Sequence, residues 1–184
     1  DSANVTKYAS IFVDEMKKEG VLSSLKHFPG HGSSLGDSHL GFVDISKTWS
    51  KKELEPYIYF IKNAKVDIIM SAHVFNENLD KNYPATLSYN INTKLLREDL
   101  GFQGVLISDD LQMSAISKHY DLKQTLTLAI NSGINILLFA NQLAKPITLQ
   151  EIVNTVYSQI VSGNISLNKI IDSNQKIDNL LNKI

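Results

Sequence analysis

Between positions 26 and 39 the chain reads Lys-His-Phe-Pro-Gly-His-Gly-Ser-Ser-Leu-Gly-Asp-Ser-His, holding three of its five histidines with a lysine and an aspartate. Histidine titrates closest to neutrality, so one ring can donate and accept a proton within a single cycle. A carboxylate on its far nitrogen fixes the tautomer and favours the charged form. Residues two apart in an extended stretch point the same way, so Asp37 and His39 can form such a pair locally. Asp37 could equally close the loop on its own backbone. Lys26 and His27 could donate hydrogen bonds to substrate hydroxyls, or be a solvated lysine and a histidine packed under the loop. His27, His31, Asp37 and His39 together could also hold a metal. The i, i+4 spacing of His27 and His31 suits zinc only on a helix, and Pro29-Gly30 breaks any helix between them.

A second reactive point follows the run Gly-Val-Leu-Ile-Ser, which ends in Asp109 and Asp110. A carboxylate there can be a nucleophile, a base, or a cap for a helix starting at Leu111. Two adjacent acids also suit sugar hydrolases in which the substrate's own acetamido group attacks. His73, in Ser-Ala-His-Val, either lines the same pocket or ends a strand. Arg97 and Glu98 are expected on the solvent side of a helix, and Trp49 as an aromatic staple rather than a sugar platform.

Apolar runs with strand character recur at 21–25, 66–70, 105–107 and 134–139. Helical periodicity fills the gaps. Residues 5–18 place Val5, Tyr8, Ile11, Phe12 and Met16 on one stripe. Ser50-Lys-Lys-Glu53 has the form of a capping box. A helix with Leu95, Leu96 and Leu100 stops at Gly101, another spans about 121–131, Pro146 opens one to about 161, and Ser166 caps the last. Strands alternating with helices predict parallel βαβ units, and the lack of polar alternation predicts strands covered on both faces. Four strands suit a small doubly wound sheet or half of a barrel. Both architectures keep their chemistry at the carboxyl ends of strands, where Lys26, His27, His73, Asp109 and Asp110 are expected.

The composition, 43% hydrophobic and 20% charged in 184 residues, is that of an ordinary globular chain with one core. A net charge of −1 argues against a dedicated nucleic-acid or polybasic membrane surface. The absence of cysteine excludes disulfide and thiolate chemistry. No apolar run is long enough to span a bilayer. A first residue of Asp rather than Met leads us to expect a cropped chain.

Taken together, Lys-His-Phe-Pro-Gly-His-Gly, Asp-Ser-His and Ser-Asp-Asp-Leu-Gln-Met resemble the β-N-acetylglucosaminidases of glycoside hydrolase family 3. Ser-Ala-His-Val at 71–74, Pro-Ala-Thr-Leu-Ser at 84–88 and Leu-Leu-Arg-Glu-Asp-Leu-Gly-Phe-Gln-Gly-Val at 95–105 extend the likeness from about Gly20 to Ala140. The Asp-x-His pair marks the hexosaminidase branch, since glucoside-cleaving relatives use a glutamate from another domain.

By position, the resemblance implies that Asp109 is the nucleophile, His39 the general acid/base and Asp37 its partner. Lys26 and His27 would bind the sugar, and Asp110 has no catalytic assignment. The implied reaction is retaining exo-hydrolysis of terminal β-linked N-acetylglucosamine from peptidoglycan-derived fragments, without metal or organic cofactor. Phosphorolysis on the same scaffold and a non-enzymatic binding module stay open as alternatives. The implied fold is α/β, a (β/α)₈ TIM-type barrel of about 250 residues or more. Residues 1–184 would be a single partial catalytic domain supplying its second half. The expected partners are an N-acetylglucosamine-containing saccharide and the missing amino-terminal half, or a second copy. The family's recycling role implies a bacterial, cytoplasmic setting.

Overall fold

The computed structural model describes residues 1–36, 41, 43–142 and 145–183. Its strands are β1 (Ser24–Phe28), β2 (Val43–Asp44), β3 (Ile68–Ser71), β4 (Val74–Phe75) and β5 (Val105–Ser108). One parallel sheet has the order β1-β3-β5, and β2 pairs with β4 in a small parallel ladder. The helices are α1 (Ser2–Lys18), α2 (Glu55–Lys62), α3 (Ser114–Ser117), α4 (Leu122–Ser132), α5 (Leu149–Val161) and α6 (Leu167–Leu181). A π-helix over Asn90–Asp99 takes the place of the helix expected before Gly101. The predicted α/β class with parallel strands is what the chain adopts.

The sheet is short but well covered. Ile69 and Leu106 are fully buried in its middle, and Phe28, Ile91, Leu96 and Phe102 join them in one core. α4 is capped at both ends by its own sequence. Asp121 accepts the Gln124 amide while Gln124 bonds back to the Asp121 amide, and Gly133 takes the left-handed conformation at φ 104.

Several expectations need correcting. The first strand starts at Ser24 rather than Val21, so Lys26 and His27 lie within it and not beyond it. Residues 134–139 form only an isolated bridge between Ile136 and Ile107. Backbone bonds such as Ser108 N–H to Ile136 O at 3.0 Å remain, but side chains take other places in that ladder. Asn135 Oδ1 accepts the Leu106 amide at 2.9 Å, and Ser108 Oγ accepts the Leu138 amide at 2.9 Å. The helix expected from Pro146 begins at Leu149, with Thr148 as its N-cap. The capping box does not form: Ser50 makes no side-chain cap, the Glu53 amide bonds to Ser50 O at 3.0 Å, and the Glu53 carboxylate bonds to Gly32.

The helical stripe on α1 turns outward. Val5, Tyr8, Ile11 and Phe12 are all more than half exposed, and only Val13 is buried. Periodicity shows that a face needs covering, not which body covers it. A similar stripe lies at the far end on α5, where Leu149, Val153, Tyr157 and Val161 are exposed at four-residue spacing. Among the described residues the sheet's margins are β1, which pairs with β3 alone, and the Ile136 bridge beside β5.

Candidate active site

Parallel pairing brings the carboxyl ends of β1, β3 and β5 to one rim. Asp109 is the first residue beyond β5, and its amide continues the ladder to Ser71 O at 3.2 Å. Its Oδ1 accepts the following Asp110 amide at 2.9 Å, which fixes the carboxylate. The other oxygen, Oδ2, lies 3.8 Å from His27 Nε2.

His27 owes its position to an irregularity in β1. Leu25 pairs with Ile69 and Phe28 with Ser71, so three steps on β1 match two on β3. One extra residue re-aims the side chains around it. Leu25, Lys26 and His27 consequently all line one cavity with Asp109. Burial pushes the His27 pKa below its ordinary value, ahead of the opposing pull of Asp109; Lys26, His31 and His73 push it lower still. The ring is therefore neutral at pH 7, and its contact with Asp109 is not an ion pair.

The cavity measures about 1240 Å³. It runs from Asp109 and His27, past His31 and Gly32 of the loop after β1, to Val5 and Ala9 of α1 and Phe60 of α2. Lys26 is exposed along its wall.

Asp110 faces away from this cavity and is only 6% exposed. Its Oδ1 accepts the amides of Gln112 at 3.1 Å and Ala140 at 3.2 Å. It caps the turn at 111–113, and the helix expected at Leu111 starts at Ser114. His73 is buried, with Nε2 2.8 Å from Asp110 O and Nδ1 2.8 Å from Thr86 Oγ1. It bonds the carbonyl of the Asp110–Leu111 peptide rather than lining the cavity. Trp49 donates from Nε1 to Pro29 O at 3.0 Å, in keeping with a staple.

Arg97 does not face solvent as expected. Its guanidinium reaches Gly104 O and Gly133 O, each at 3.2 Å, and Asn135 Oδ1 at 2.8 Å. Burial pushes its pKa down to about 10, so it keeps its charge at neutrality. Nothing local in the sequence distinguishes it from a surface arginine, since all its acceptors are backbone or side-chain oxygens of other elements.

Asp37 and His39 lie outside the described residues, and so do two of the four ligands of the metal set weighed above. Among the described residues no group of three or more histidines and carboxylates is disposed to hold a metal. Glu53, expected as a local cap, lines the same cavity, and no local pattern signals this.

The family model described as the glycosyl hydrolase family 3 N terminal domain matches residues 1–180. A β-hexosaminidase A from Pseudoalteromonas piscicida is 37% identical over 148 residues, 73% of this chain and 25% of the relative. A β-hexosaminidase from Tolumonas auensis is 36% identical over 152 residues, 81% of this chain and 45% of the relative. The crystal structure of the β-N-acetylglucosaminidase from Thermotoga maritima superposes with a TM-score of 0.86 at 28% identity, over 97% of this chain and 39% of that one. The chain thus spans less than half the length of these relatives.

Proposed function

Because the chain belongs to glycosyl hydrolase family 3, we propose that it carries the catalytic groups of a retaining exo-β-N-acetylglucosaminidase. The observation that supports this best is the Asp109 carboxylate, fixed at the end of β5 and facing the cavity beside a neutral His27. The names of the hexosaminidase relatives support the acetamido sugar as substrate.

In the first step Asp109 attacks the anomeric carbon and forms a glycosyl ester as the bond to the aglycone oxygen breaks. His39, paired with Asp37, gives that oxygen its proton. In the second step neutral His39 takes a proton from water, whose oxygen attacks the same carbon and releases Asp109. Two inversions give retention. Lys26 and His27 hold the sugar hydroxyls, and a neutral His27 can donate from one nitrogen while accepting at the other.

The inward turn of Asp110 counts against substrate assistance, which needs both acids at the sugar. Peptidoglycan-derived fragments in a bacterial cytoplasm are the setting we favour. The two sheet margins and outward apolar stripes on α1 and α5 support residues 1–184 as one partial domain, the second half of a (β/α)₈ barrel.

The test is nitrophenol release from a β-N-acetylglucosaminide by the chain, alone and joined to the first half of a family barrel, beside Asp109→Ala. Turnover that vanishes in the variant supports the reading. Wild-type silence in both forms overturns it, and strict dependence on phosphate would replace hydrolysis with phosphorolysis.

A further inference from the structure

Glu53 makes no bond within its own turn that would explain its pose. Instead Oε2 accepts the Gly32 amide at 3.0 Å, and Oε1 accepts the Ser33 hydroxyl. The loop lies flat on this side chain. Gly30 has φ +122, and a Cβ there would stand 2.5 Å from Glu53 Cβ. Trp49, from the same short segment, holds Pro29 O. On the loop's other side the His31 ring packs edge-on against His27, with centroids 5.8 Å apart, and His27 in turn neighbours Asp109. Ser33 stands four positions before Asp37 in the chain.

We propose that Glu53 is a positioning residue for the reaction, its carboxylate seating the loop over His27 and so setting the surroundings of Asp109. This rests on the reading of Asp109 as the nucleophile. Two neighbouring donors need two acceptors, which a carboxylate supplies and an amide does not. The same cover of loop over His27 contributes to the burial that keeps that ring neutral.

The experiment follows the His27 ring and the Gly32 amide by NMR in wild type, Glu53→Ala and Glu53→Gln. In Glu53→Ala the loop lifts, His27 rehydrates, and its titration midpoint rises toward 6.5. Gly32 exchange accelerates on the order of tenfold while the Ile69 and Leu106 amides hold. Glu53→Gln, which keeps the shape and loses one acceptor, shifts the same signals less, and it supplies the comparison if the alanine variant does not fold. An unmoved His27 midpoint with unchanged Gly32 exchange overturns the proposal. In the form of the enzyme that turns over, the acid limb of kcat/KM moves upward with His27; an unchanged pH profile there also overturns it. Silence of the wild-type enzyme overturns the glycosidase reading alone, and His27 still decides on Glu53.

Discussion

The side of the molecule built on β5, the π-helix and α4 differs in kind from the side built on α1 and β1. On the first, most buried polar groups have partners, with Asp110 Oδ2 an exception. Asn92 donates to Ala85 O, Thr86 O and Ser132 Oγ while accepting from Ser71 Oγ, and Arg97 is held by oxygens of two separate segments. On the second, apolar side chains stand in solvent and polar ones line a cavity. Interiors keep a single arrangement when every polar group has a partner. A site needs the opposite, groups held at their base with one face left available. Asp109 sits where the two sides meet, fixed through Oδ1 and open at Oδ2.

The largest effect should come from that junction. Asp109→Ala is expected to lower turnover on the order of 10⁴-fold, the usual scale for a nucleophile or its partner. Thermal stability should hardly change, because the lost bond is to the adjacent amide alone. A matching drop in melting temperature would mean that Asp109 belongs to the satisfied side of the molecule, and the contrast would fail.

Arg97→Ala should do the reverse. It leaves Gly104 O and Gly133 O without a donor and removes a charge-assisted bond to Asn135, a loss of about 3 kcal/mol. Chemical denaturation would measure it. Turnover per folded molecule should be unchanged, and a loss confined to kcat with full stability would move Arg97 to the site.

His27 gives a pH signature on the open side. Its pKa is lowered in the folded state, so the unfolded chain binds its proton more readily. Stability therefore rises with pH between the folded pKa and about 6.5, and is fully present above 6.5. Denaturant midpoints from pH 5 to 7 should rise in wild type and rise less in His27→Gln. Identical slopes would show that the His27 pKa is not lowered on folding.

What could be read in advance divides along the same line. The α4 cap at Asp121–Gln124 and its stop at Gly133 are local, and sequence periodicity located that helix within a residue. The Ser50–Glu53 pattern has the same form, yet Glu53 bonds to residues twenty positions away, which no local pattern encodes. The place of Asp109 at the carboxyl end of β5 follows from a local apolar run. The position of Lys26 and His27 inside β1 does not, since it depends on the register with β3. Arg97 fails in part for the reason Glu53 does: Gly133 O and Asn135 Oδ1 lie more than thirty positions away.

The smallest effect concerns the α1 stripe, which forms the expected helix and stands mostly in solvent. Phe12 is 61% exposed, so Phe12→Ser removes little buried area and should shift stability by less than about 0.5 kcal/mol. Phe28 is fully buried in the core, and Phe28→Ala should cost about 3–5 kcal/mol. If the stripe is the seam to the first half of a barrel, the serine variant must weaken association with that half while leaving the chain's own melting temperature intact. Each face of such a seam buries apolar area only on docking, so the whole cost appears in the binding step. A loss above 1 kcal/mol in the chain alone would show instead that α1 already packs against this molecule, and the open side would be narrower than its exposed residues indicate.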